Sequence, residues 1–101
     1  MKVKEIQEND FKKVINDNGK VLVDCYATWC GPCKMLSPII EQVASTTDDV
    51  KFYKLDIDEA EEVAGEYEIM SIPTLLFFKD GKLETTKVGF APKEEIEEMI
   101  K

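Results

Sequence analysis

A nearly unbroken apolar stretch, Val21-Leu22-Val23-Asp24-Cys25-Tyr26-Ala27, leads across Thr28 and Trp29 into Cys30-Gly31-Pro32-Cys33. Rich in branched and bulky residues, it suits a strand buried on both faces of a parallel sheet. From Cys33 onward Leu36, Ile39, Ile40, Val43 and Ala44 fall at helical spacing, which predicts an amphipathic helix reaching about Ser45. Two thiols therefore stand where a buried strand passes into a helix, at the helix's amino end. Pro38 lies inside the predicted helix, lacks an amide proton and is expected to kink it near Lys34.

The remaining elements follow from shorter signals. Asn9 and Asp10 offer capping side chains before Phe11, Val14 and Ile15, and Asn18-Gly19 offers a left-handed stop, giving a first helix of about two turns. Val50 to Ile57 reads as a second strand, and Asp58 with Glu61 as a capping-box-like pair opening a short helix to about Tyr67. Thr74 to Phe78 and Leu83 to Gly89 flank Lys79-Asp80-Gly81-Lys82, whose Asp-Gly step predicts an antiparallel hairpin. Pro92 is placed as the first residue of a closing helix carrying Ile96, Met99 and Ile100. Parallel units followed by a hairpin predict an α/β fold, a mixed sheet with helices on both faces. With 44% apolar content, 101 residues suffice for one compact domain, residues 1–101.

Charge and composition remove several function classes. A net charge of −8, with thirteen lysines scattered among acids, opposes binding to a phosphate backbone, so no nucleic-acid partner is expected. The acidic runs Asp56 to Glu62 and Glu94 to Glu98 read as solvated helix faces. The chain has no histidine, which excludes Cys-His and Ser-His catalytic pairs, and its five glycines form neither GxGxxG nor GxxxxGK[ST]. No apolar run is long enough to span a bilayer, and Met1-Lys2-Val3-Lys4-Glu5 lacks the apolar core of an export signal. A cytoplasmic protein with no membrane contact is expected, and a reducing compartment would keep an exposed cysteine pair as a dithiol.

A thiol attacks a disulfide only as its thiolate, so Cys30 must ionise near neutral pH. The unpaired N–H groups and positive dipole end of a helix amino terminus favour that anion. Cys30 is read as the attacking thiol and Cys33 as the one that resolves the mixed disulfide intramolecularly. A purely structural bridge closing so short a loop would supply only about 2 kcal/mol. Cys25-x4-Cys30-x2-Cys33 also copies the first three positions of a plant-type iron–sulfur spacing, but the fourth cysteine is absent and no histidine can replace it. No metal site is expected.

Trp29-Cys30-Gly31-Pro32-Cys33, the preceding Val23-Asp24, the helix Lys34 to Ile40, Ile72-Pro73-Thr74 and Val88-Gly89 agree in order and spacing with one family. On these motifs, and over about its whole length, the chain resembles the thioredoxin family. The resemblance implies a three-layer sandwich and reduction of protein disulfides with no bound cofactor. It also implies a monomer whose dithiol is regenerated by a thioredoxin reductase, most often a flavoprotein using NADPH, or a ferredoxin-dependent enzyme in some lineages. Thioredoxins are themselves the standard illustration of thiol activation, from a pKa of about 8.5 to about 7. The roughly fifteenfold gain in thiolate is cut by a roughly fivefold loss of nucleophilicity, so orientation and the second thiol must contribute more.

The resemblance further implies a cis Ile72–Pro73 bond beside the dithiol, with the Ile72 backbone pairing with an incoming substrate strand. Trp29, Gly31, Pro32, Ile72, Pro73 and Gly89 would form an apolar collar around an exposed Cys30 sulfur. Asp24 in an apolar strand is notable in itself, since burial of an unpaired carboxylate costs several kcal/mol and raises its pKa. Either backbone or Lys54 satisfies it, or it has the role of the matching family aspartate, lying beneath Cys33 and assisting its deprotonation through water with Lys54 as electrostatic partner. Two residues depart from the family pattern: Tyr26 replaces a common tryptophan, and Cys25 replaces a common aromatic. Cys25 reads as a small buried hydrophobe, or alternatively as a redox-sensing or modification site. Two rival functions are a binding module with an incidental dithiol and a thiol oxidase or isomerase. Gly31-Pro32 and the lack of an export signal argue against the latter.

Overall fold

The computed structural model describes residues 2–101; Met1, the first residue of the stretch read above for an export signal, lies outside them. The chain runs β1 (Val3–Ile6), α1 (Glu8–Ile15), β2 (Lys20–Tyr26), α2 (Gly31–Ser45), β3 (Val50–Asp56), α3 (Glu61–Glu66), β4 (Thr74–Lys79), β5 (Lys82–Val88) and α4 (Lys93–Met99). The sheet order is β1-β3-β2-β4-β5, with β2 at the centre. β1 and β2 lie parallel to β3, whereas β2–β4 and β4–β5 are antiparallel. The predicted mixed sheet is therefore present. Asp80 and Gly81 turn the hairpin with φ of 50° and 83°, the left-handed values that a tight Asp-Gly turn requires.

Side-chain alternation along β2 divides the core into two layers. Leu22 joins Leu36, Ile40 and Val43 of α2 and Ile96 of α4 on one face. Val21, Val23 and Cys25 join Phe11 and Ile15 of α1 and Val63 of α3 on the other. That second layer is closed by edge-on contacts among Phe11, Tyr67 and Phe78, with ring centroids 5.5 to 5.9 Å apart. No helix among the described residues is long and apolar enough to cross a membrane.

The structure corrects four local readings. β1 was not expected, because four residues with two buried positions carry almost no periodic signal; Val3 and Ile6 enter opposite core layers. The first helix starts at Glu8, so Asp10 lies inside its first turn and accepts from the Gln7 N–H at 3.3 Å. Asp58 does not cap α3. Instead Asp56 caps a 3-10 turn at Ile57–Glu59 through the Asp58 N–H, and Glu8 accepts from Val63 N–H in the first turn of α3 at 2.9 Å. Pro92 occupies the cap position just before α4. The helix carrying Pro38 continues as one element from Gly31 to Ser45.

Candidate active site

β2 ends at Tyr26, and Cys30 follows as the cap of α2 with extended backbone, φ −87° and ψ 112°. Its amide donates to the Ala27 carbonyl at 3.2 Å and its carbonyl accepts from Lys34 at 3.2 Å, fixing the turn on both sides. Its Sγ accepts the Cys33 N–H at 3.2 Å, as a capping oxygen would. Gly31 and Pro32 fill the first two helical positions, where proline's missing N–H leaves no bond unmade. No acidic residue lies in that first turn to oppose an anion on sulfur. Cys30 and Cys33 are joined as a disulfide, with their Cα atoms 5.3 Å apart.

The Ile72–Pro73 bond is cis, as expected, and the Ile72 carbonyl oxygen lies 3.8 Å from Cys30 Sγ. Gly89 sits at φ +89°, a region closed to most side chains, and its N–H donates to the Pro73 carbonyl at 2.8 Å. The end of β5 is thus tied to the residue beside the dithiol. Trp29 is 70% exposed, and its indole N–H donates to the Asp58 carboxylate at 2.7 Å.

Two parts of the expected collar differ. Cys30 is not exposed: it is only 4% accessible, because the disulfide draws its sulfur toward Cys33 and it packs with Ala27 and Ile72. Pro73 is also buried, since it immediately precedes β4, whose first five residues are buried as well. Gly31 and Pro32 are exposed, and Ile72 and Gly89 partly so. Sequence reading did not single out Met70, 92% exposed two residues ahead of Ile72, or foresee that Val88 beside Gly89 is 61% exposed. It also missed Asp58 as the partner of Trp29. Unusual exposure of a large apolar side chain has no one-residue sequence signature.

Asp24 projects to the α2 face of the sheet and is buried, with Oδ1 lacking any hydrogen-bond partner. Backbone therefore does not satisfy that oxygen. Burial pushes the carboxyl up from 3.8 to about 7, against a lowering by the positive charge of Lys54. Asp24, Cys33, Ser37 and Lys54 line one cavity of about 250 Å³ together with Tyr26 and Ala27. Lys54 is the register partner of Asp24, yet its ammonium forms no ion pair with it and lies 5.8 Å from the Tyr26 ring centroid. The Tyr26 hydroxyl donates to the Glu5 carboxylate.

Cys25 is a free, fully buried thiol in the α1–α3 layer, and burial followed by the Asp24 charge pushes its ionisation up. The redox-sensing reading of Cys25 is overturned, because no reagent reaches its sulfur. Its alternation with Asp24 also directs it away from Cys30 and Cys33, so the three cysteines do not converge.

A helix-capping dithiol beside the Ile72 carbonyl, with a cis Ile72–Pro73 bond and a buried acid in the same cavity, is the arrangement the resemblance implied, and residues 2–101 match the family model described as Thioredoxin. The chain belongs to the thioredoxin family. It is 50% identical over 92 residues to a thioredoxin of Mycoplasmoides gallisepticum, covering 91% of this chain and 92% of that one. It is 51% identical over 83 residues to a thioredoxin of Bacillus subtilis, covering 81% and 80%. A solved mutant thioredoxin of Halobacterium salinarum superposes with a TM-score of 0.91 at 36% identity, covering 98% of this chain and 88% of that one. As a member of this family the chain is a dithiol–disulfide oxidoreductase of the protein-disulfide reductase type. The Cys30–Cys33 pair is its redox centre, and the family carries no prosthetic group.

Proposed function

We propose that residues 1–101 act as one cytoplasmic, monomeric electron carrier in which Cys30 attacks client disulfides and Cys33 resolves the adduct. The observation that carries this reading is the Cys30 sulfur at the cap of α2, accepting the Cys33 N–H at 3.2 Å with no acid in the first turn. An anion there is favoured by the dipole and by a hydrogen bond already in place.

In the reduced protein the Cys30 thiolate attacks one client sulfur, forming a Cys30–client bond and releasing the other client sulfur as a thiolate. The client segment lies extended along the Ile72 backbone, in the manner of strand addition, with Trp29, Gly31, Pro32 and Gly89 around it and Pro73 supporting Ile72 from below. Cys33 then loses its proton to Asp24 through water in the shared cavity. Its thiolate attacks Cys30 Sγ, which closes the Cys30–Cys33 disulfide and expels the second client thiolate. Two electrons have passed to the client. Thioredoxin reductase returns them, drawing on NADPH or ferredoxin, so the carrier itself binds no nucleotide. Soluble disulfide-containing proteins are the clients; nucleic acid and membrane are not partners.

Trapping separates the two cysteines. Cys33→Ser is expected to accumulate a covalent adduct with client proteins on non-reducing gels, because attack survives and resolution fails. Cys30→Ser is expected to give none. Equal adducts from both variants, or none from either, would contradict the assignment, and client binding unchanged in Cys30→Ser would favour the binding-module reading.

A further inference from the structure

Lys54 occupies an unusual position in the sheet. Across three strands, Glu5 of β1 and Asp24 of β2 are both its register partners, so Lys54 lies between two acidic residues in the sheet. Electrostatics alone would draw it to the buried one, where the field is least screened and Oδ1 has no partner. It is instead found 5.8 Å from the Tyr26 ring centroid, within cation–π reach, and outside ion-pair distance of Asp24. The Tyr26 hydroxyl is itself held by Glu5. Tyr26, Lys54 and Asp24 all line the cavity that reaches Cys33.

We propose that Tyr26 is a positioning residue: anchored through its hydroxyl to Glu5, its ring holds the Lys54 ammonium at the cavity wall and keeps it from closing onto Asp24. This rests on the reading of Asp24 as the proton acceptor for Cys33 and adds how its base strength is set. A direct Lys54 pair would make the carboxylate a weaker base and block Oδ1 as an acceptor. Full withdrawal of Lys54 would leave Asp24 protonated near neutral pH and unable to accept. The ring holds the cation between these extremes.

The charged and titratable groups around Asp24 are few enough to isolate. β3 contributes only Lys54 to this cavity, β2 gives Tyr26, and α2 gives Cys33 and Lys34; outside its lining, Glu5 of β1 pairs in register with Lys54, Asp56 of β3 with Tyr26, and Leu75 of β4 with Asp24. Cys25 points to the opposite layer. Burial, the Glu5 bond and the neighbouring carboxylates push the Tyr26 phenol up, so its hydroxyl stays a donor throughout the range in which Asp24 titrates.

The test is a double-variant cycle read on the Asp24 carboxyl carbon by NMR titration of the oxidised protein, which does not depend on turnover. Tyr26→Leu is expected to lower the Asp24 midpoint by about one pH unit as Lys54 swings onto it. Lys54→Met is expected to raise it. In the Lys54→Met background, adding Tyr26→Leu is expected to change nothing further, because the ring acts through the cation. A downward shift of equal size in that background would overturn the proposal and show that Tyr26 acts by excluding water. Should Tyr26→Leu unfold, Tyr26→Phe keeps the ring volume and removes the Glu5 anchor; it is expected to lower the midpoint in the parent and not in Lys54→Met, and an unchanged parent midpoint would overturn the anchor. Failure of Asp24 as the proton acceptor is a separate outcome, visible as an Asp24→Asn turnover loss that is uniform across pH.

Discussion

At the scale of single residues, the proposed mechanism turns on one oxygen atom. Asp24 Oδ1 is buried without a partner, and burial raises the carboxyl to about 7. A base of that strength accepts a proton near neutrality and is superfluous once Cys33 ionises unaided. Asp24→Asn is therefore expected to slow client reduction several-fold near pH 7 and to approach the parent rate above about pH 9, in a turnover profile measured with saturating reductase. The burial of Asp24 was legible in the sequence, since it stands inside an apolar run. The Lys54 geometry was not, because which neighbour a flexible ammonium approaches depends on side chains from three strands. Cys25 illustrates the same limit: its burial was readable, but its alternatives were separated only when the face it occupies was known.

Among the elements, the helix carrying the dithiol and the Asp-Gly hairpin were readable because each has a dense local signal. β1 and the opening of α3 were not. Glu8 stands one residue inside α1 yet supplies the acceptor for Val63 N–H in α3, fifty-five residues away. No local pattern announces such a bond. Glu8→Ala removes the acceptor from a helical N–H in the first turn and is expected to cost about 1 kcal/mol of stability. Faster hydrogen exchange confined to the start of α3 would check the location of the effect. Equal exchange in both proteins would show that water substitutes fully for the carboxylate.

For the whole molecule, fold class and the placement of helices on both faces followed from the order of strand and helix signals, whereas the sheet order needed β1. The same buried acid weakens the fold. Folded Asp24 keeps its proton up to about pH 7, whereas its ordinary value is 3.8. Over that window the folded state binds the additional proton, so its contribution to stability is full below about pH 4 and is lost as pH rises through 7. The loss is about 4 kcal/mol. Urea unfolding of the oxidised protein at a series of pH values is expected to show this decline, and Asp24→Asn is expected to flatten it and to be more stable than the parent at pH 7.5. Parallel curves for the two proteins would place the buried charge elsewhere.

Client reduction depends above all on a Cys30 sulfur that is anionic at working pH. Alkylation by iodoacetamide as a function of pH, in the reduced Cys33→Ser protein, reads that ionisation through the attacking thiol alone once the buried Cys25 is left unreacted. A rate midpoint near neutrality, well below the ordinary thiol value of about 8.5, is the expected result. A midpoint at or above 8.5, or no alkylation of Cys30 in the folded protein, would contradict the account.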